Sequence, residues 1–172
     1  TLTFEATSTC VSIGQYAFRY CKAKISFGGA NNEIIRKYAF ENYEYALEFN
    51  FNKVSLIENN AFENVVFSNP NLVFEENVTI GVSAFAKTNV KQVVNNTGEV
   101  YLGGYCFGSC SDLVAAEFAK LVVIGNTAFQ RTGIKSIVIP STTVTLESNA
   151  FSYCDSLEEV IIEEGLTKIG FG

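Results

Sequence analysis

A stacked, β-rich solenoid of about seven coils is the fold this sequence predicts, on three observations. The first is a period. The phrase IGQYAF at Ile13 returns as IRKYAF at Ile35, IENNAF at Ile57, IGVSAF at Ile80, LGGYCF at Leu102, IGNTAF at Ile124 and LESNAF at Leu146. Its closing residues, Phe18, Phe40, Phe62, Phe85, Phe107, Phe129 and Phe151, follow one another at steps of 22, 22, 23, 22, 22 and 22 residues. The second is alternation. A polar linker follows each phrase, and then apolar residues at every second position, as at Ile137 and Ile139 or Val160 and Ile162, which is the period of a strand. The third is composition: 48% of the 172 residues are hydrophobic and 15 are Phe, which suits a packed core better than disorder.

Each part of the coil has its own reason. The strand begins at an apolar residue after the linker (Ile134, Leu157) and ends at a turn (Pro140-Ser141, or Glu163-Glu164-Gly165). A shorter β-prone piece follows, Val144-Thr145-Leu146 or Leu166 to Ile169, and a compact turn carrying Ala-Phe closes the coil. Some 22 residues cannot bury their own apolar face, so the coils stack and the seven Phe form a column. Each buried Phe contributes about 1.5–3 kcal/mol. The small Ala before it lets neighbouring backbones approach, and only Cys106 replaces it. Glycine follows the first residue of the phrase at Gly14, Gly81, Gly103, Gly125 and Gly170 but gives way to Arg36, Glu58 and Glu147, so it reads as a favoured turn residue rather than a required one.

The pattern IGxxAFxxC, then LxxVxI, often Pro, then VTxIG, resembles the BspA-type (Treponema-type) leucine-rich repeat of bacterial and protist surface proteins. The resemblance covers nearly the whole chain and is clearest from Phe85 onward. Two departures stand out: the strand Asn71 to Phe74 follows Pro70 and is irregular, and CKAKISFGG carries Lys24 where an apolar residue is usual. The resemblance implies a leucine-rich-repeat solenoid, β-rich with short helical turns outside, forming a curved right-handed array with a parallel sheet on the concave face. Seven rungs at about 4.8 Å span roughly 34 Å of sheet, a platform rather than a pocket. Residues 1–172 are expected to form a single array, a segment of a longer repeat protein cut mid-repeat at both ends, with self-association through the exposed ends a consequence.

The chemistry is defined mainly by what is missing. There is no His, which removes Ser-His-Asp and Cys-His pairs and His-containing zinc sites. No GxxxxGK or GxGxxG phosphate loop occurs. Cys21, Cys110 and Cys154 each fall three residues after a repeat Phe, which points to inward packing, and Cys106-x-x-x-Cys110 is not metal spacing. Glu158 and Glu159 are neighbours on a strand and point to opposite faces, so the acidic cluster with Glu163 and Glu164 reads as solvated surface. No catalytic residue, cofactor or metal is expected. Net charge is −6 with 12 scattered Lys and Arg, which disfavours nucleic acid and anionic lipid, and no run approaches the ~20 apolar residues of a membrane span. Asn77-Val78-Thr79 and Asn95-Asn96-Thr97 are glycosylation sequons, meaningful in a eukaryotic secretory pathway.

What remains for function is the set of strand residues that face outward. Climbing the coils these are Lys91, Gln92 and Val94; Val114, Ala115 and Glu117; Lys135, Ser136 and Val138; and Glu158, Glu159 and Ile161. Val94, Val138 and Ile161 fall in one column interrupted by Glu117, an apolar stripe edged with charge of the kind a protein-binding surface shows. The expected partner-binding set is therefore Lys91, Gln92, Val94, Val114, Glu117, Lys135, Val138, Glu158 and Ile161. The expected role is a noncatalytic protein-binding or adhesion module recognising a protein or extracellular-matrix ligand. The alternative is a structural spacer. The resemblance alone implies a cell-surface or secreted location.

Overall fold

The computed structural model describes residues 2–4, 11–27 and 33–172. Cys10 lies outside them. The chain winds through β1 (Leu2–Phe4), β2 (Ser12–Ile13), β3 (Ile25–Phe27), β4 (Ile34–Ile35), β5 (Leu56–Ile57), β6 (Asn71–Phe74) and β7 (Val78–Ile80). It continues through β8 (Gln92–Leu102), β9 (Ala115–Ile124), β10 (Ser136–Ile139), β11 (Thr145–Leu146), β12 (Glu159–Ile162) and β13 (Lys168–Ile169). Every strand pairing is parallel, and the described residues contain no helix: the chain is a parallel-sheet solenoid of about seven turns.

Each coil has three sides, and they differ in how regular they are. The narrow side is one unbroken ladder of eight strands in the order β13-β11-β9-β8-β7-β5-β4-β2. Its register runs Ile13, Ile35, Ile57, Ile80, Leu102, Ile124, Leu146 and Ile169. The first seven open the repeated phrase, each five residues before its Phe, so a constant spacing fixes this ladder in place.

The broad side comes after the linker and is interrupted. β6, the first half of β8 and the first half of β9 pair continuously, β10 pairs only with β12, and β1 with β3. Leu47 and Phe67 form an isolated bridge. The breaks fall between β3 and β6 and between β9 and β10. The segment after Pro70 is more regular than its sequence suggests, since all four residues of β6 pair with β8 and the Pro70 carbonyl accepts from Lys91 N–H at 2.8 Å.

The third side holds the turns, and here the structure departs from the helical turns implied by the resemblance. Two residues per coil, four apart, have positive φ, from Tyr16 (59°) and Tyr20 (52°) in the first to Asn149 (57°) and Tyr153 (56°) in the last. A left-handed residue costs about 1–2 kcal/mol without glycine and cannot continue a right-handed helix. Hydrogen bonds to the next coil offset that cost: Ser83, Phe85 and Lys87 N–H donate to the carbonyls of Gly104, Cys106 and Gly108 at 2.9, 2.8 and 2.9 Å. The same ladder recurs along the array.

Inside, the Phe column forms as expected. Consecutive rings from Phe18 to Phe151 stack with centroids 5.2–5.7 Å apart, and Phe40, Phe62, Phe85, Phe107 and Phe129 are fully buried. Each offset stack adds about 0.5–1.5 kcal/mol beyond burial. Ala39, Ala61, Ala84, Cys106 and Ala128 beside them are buried too. Cys110 and Cys154 pack inward, their thiols donating to the Phe85 and Phe129 carbonyls at 3.0 Å, and burial pushes the Cys106 and Cys110 thiols up. The phrase glycine is more constrained than a turn preference: a Cβ on Gly103 or Gly125 would lie 2.6–2.9 Å from backbone of the preceding coil. Val160 and Ile162, in register with buried Ile137 and Ile139, are left uncovered on the last rung.

One core position is polar. Asn95 stands between Phe74 and Phe118 in its column and is 1% exposed. Its Nδ2 donates to the Glu76 carbonyl at 2.8 Å, and its Oδ1 accepts from Thr97 and Gly98 N–H at 3.1 and 2.8 Å, which ties down the extra residues at the corner of β8. The two sequons therefore differ. The exposed Asn77 uses only its Oδ1, accepting from Glu99 N–H at 2.8 Å. Secreted from a eukaryotic host, the protein is expected to carry glycan on Asn77 and none on Asn95; peptide mapping that finds Asn95 modified contradicts this burial.

Candidate functional site

The broad side presents the outward residues of its strands in columns. Val73, Val94 and Glu117 are consecutive partners across β6, β8 and β9, and Val138 and Ile161 are partners across β10 and β12. Asn71, Gln92 and Ala115 form the adjoining column, matched by Ser136 and Glu159. Lys91, Val114, Lys135 and Glu158 lie just ahead of the strands, joined by Val114 N–H to the Lys91 carbonyl at 3.0 Å and Glu158 N–H to the Lys135 carbonyl at 2.8 Å. Of the nine expected contact residues, Lys91, Val114, Glu117, Lys135, Val138, Glu158 and Ile161 are exposed, and Gln92 and Val94 are half-buried.

These residues do not form one flat platform. Where β9 and β10 fail to pair, a groove of about 420 Å³ opens between them. Its lining includes Val114, Val138 and the small side chains of Ala115, Ala119 and Ser136, and Glu117 is its one charged lining residue. A second groove, of about 400 Å³, lies toward the N-terminal coils among Phe49, Asn71 and Val73, and its one charged lining residue is Glu48. A third of about 520 Å³ adjoins it, lined by Lys24, Ser26, Tyr45 and Glu48. All three follow the stretches where the broad ladder is interrupted.

Sequence reading missed Val73, Glu48 and the grooves. Val73 extends the apolar column by one rung, and alternation along NLVF was the signal that would have found it. The grooves left no such signal, because they arise where strands of neighbouring coils fail to pair, which alternation within one strand does not record.

Charge is unevenly compensated. The five ion pairs among the described residues all join neighbouring coils between Arg19 and Lys87: Arg19–Glu41, Lys22–Glu44, Arg36–Glu58, Lys53–Glu76 and Lys87–Glu63. From residue 88 onward there are nine Asp and Glu against five Lys and Arg, and none is paired. No group of three or more His, Cys, Asp or Glu among the described residues is placed to hold a metal ion. No helix there is long and apolar enough to cross a membrane.

The family model described as BspA type Leucine rich repeat region matches residues 2–85 and 78–172, with six copies. No curated protein and no solved structure matches significantly.

Proposed function

Because the chain belongs to the BspA-type leucine-rich-repeat family, we propose that it is a noncatalytic recognition module whose broad side binds a protein or extracellular-matrix ligand. Repeats of this family commonly serve protein binding or adhesion in surface or secreted proteins, and that is the setting proposed for this chain. The observation that carries the reading is the outward apolar set of Val73, Val94, Val138 and Ile161, with Val114 just ahead of its strand, on the side where the grooves lie. Three grooves lie along the broad side, with exposed apolar residues beside them.

Replacing Val114, Val138 and Ile161 together by Thr keeps the β-branched strand preference and removes the stripe. Retention of this variant on a surface coated with mixed extracellular-matrix proteins is expected to fall about tenfold or more, with the circular dichroism spectrum unchanged. A control with Tyr16→Ser and Tyr20→Ser, on the turn side, is expected to bind as the parent does. Equal retention of all three proteins would sink the proposed face.

A further inference from the structure

We propose that the broad side recognises an extended, basic polypeptide segment through two points, Glu48 and Glu117; this rests on the reading of that side as the binding face. Each glutamate is exposed and is the one charged residue lining its groove, Glu48 beside Phe49 and Val73, Glu117 between Val114 and Val138. Neither carboxylate makes an ion pair or hydrogen bond to a described residue. That sets them apart from Glu41, Glu44, Glu58, Glu63 and Glu76, each paired with a cation one coil away.

A carboxylate set among apolar and small side chains suits one kind of visitor. A Lys or Arg lays its aliphatic stem along Val114 and Val138 while its head meets Glu117, so apolar contact and charge are satisfied together. An acidic side chain would meet repulsion there, and a purely apolar one would desolvate the carboxylate without compensation. The acidic excess after residue 88 adds attraction for a basic segment at longer range.

Spacing makes the proposal specific. Glu48 belongs to the coil of Phe40 and Glu117 to the coil of Phe107, three coils on. At about 4.8 Å per rung this is about 14 Å across the strands, the length of four to five residues of extended chain. Between the two lie Asn71, Val73, Gln92 and Val94, polar and apolar by turns. The complementary segment therefore carries Lys or Arg at positions i and i+4, with small apolar residues between. Three cations lie near the site: Lys24 shares the third groove with Glu48, and Lys91 and Lys135 stand ahead of the strands.

The test uses fluorescein-labelled pentapeptides, Lys-Val-Thr-Val-Lys and Glu-Val-Thr-Val-Glu, titrated with the full chain and followed by anisotropy. The basic peptide is expected to bind, and Glu48→Gln and Glu117→Gln each to weaken it about fivefold, the double variant more than either, with control Glu164→Gln unchanged. Raised salt should weaken the parent more than the double variant. Equal binding of the acidic peptide, or no effect of either substitution, overturns the charge assignment while the Val-to-Thr retention experiment still reports separately on the face. Absence of any binding by the basic peptide also overturns the proposal.

Discussion

Phe107→Ala is expected to destabilise the chain by about 3–5 kcal/mol, the range for removing a fully buried aromatic ring. Phe107 is 0% exposed and stacks on Phe85 at 5.4 Å and Phe129 at 5.7 Å, so the substitution removes two stacks and leaves a void beside buried Cys106 and Cys110. Coils of a solenoid touch only their neighbours, and stability is close to a sum of coil and interface terms. Weakening a central interface should therefore also loosen coupling between the two halves, giving a broader urea transition. Phe151→Ala, at an already half-exposed end of the column, should cost less than half as much. Urea unfolding followed by circular dichroism decides the matter; equal midpoints for the two variants would mean that the column is not the continuous element described.

Asn95→Ala is the second large effect, about 2–4 kcal/mol. It removes no large apolar surface but strands buried backbone groups. The Gly98 and Thr97 N–H lose their acceptor and the Glu76 carbonyl loses its donor. Each unsatisfied buried group costs about 1–3 kcal/mol, partly relieved where water can enter at the corner. The neighbouring Asn96 is exposed, and Asn96→Ala should change stability by less than about 0.5 kcal/mol. If the two alanine variants unfold together, Asn95 does not brace the corner.

The phrase that recurs in the sequence made the Phe column, the small residues beside it and the narrow-side register legible, because a side chain at the same place in every coil must meet itself in the next. Two pieces of the expected outward column, Val94 beside Glu117 and Val138 beside Ile161, are present, but the unpaired β9–β10 boundary separates them. Three things were not legible. The left-handed pairs sit on Tyr, Thr, Lys and Arg as well as Asn and Ser, so the compact turn was legible but its left-handed backbone was not, and the helical turns came from the resemblance alone. Asn95 occupies a position filled by Phe in the coils on either side, and its partners are backbone groups that no sequence pattern marks. The breaks in the broad side leave no mark, because β9 and β10 each keep their own alternation, and linker length does not separate paired from unpaired neighbours: Leu157 lies six residues after its Phe, as Leu113 does, and β12 pairs with β10.

The unpaired boundary between β9 and β10 gives the array a mechanical character of its own. Elsewhere along β6, β8 and β9 adjacent coils are tied on three sides, but across this boundary the ties run only through the narrow ladder and the turn side. A rod fastened on two sides of three is expected to flex about the fastened edges, so bending there would widen or narrow the Glu117 groove. Tension applied along such a rod would be felt first where the broad side is unpaired, and on the proposed reading of that side as the binding face, grip there is expected to change under pulling.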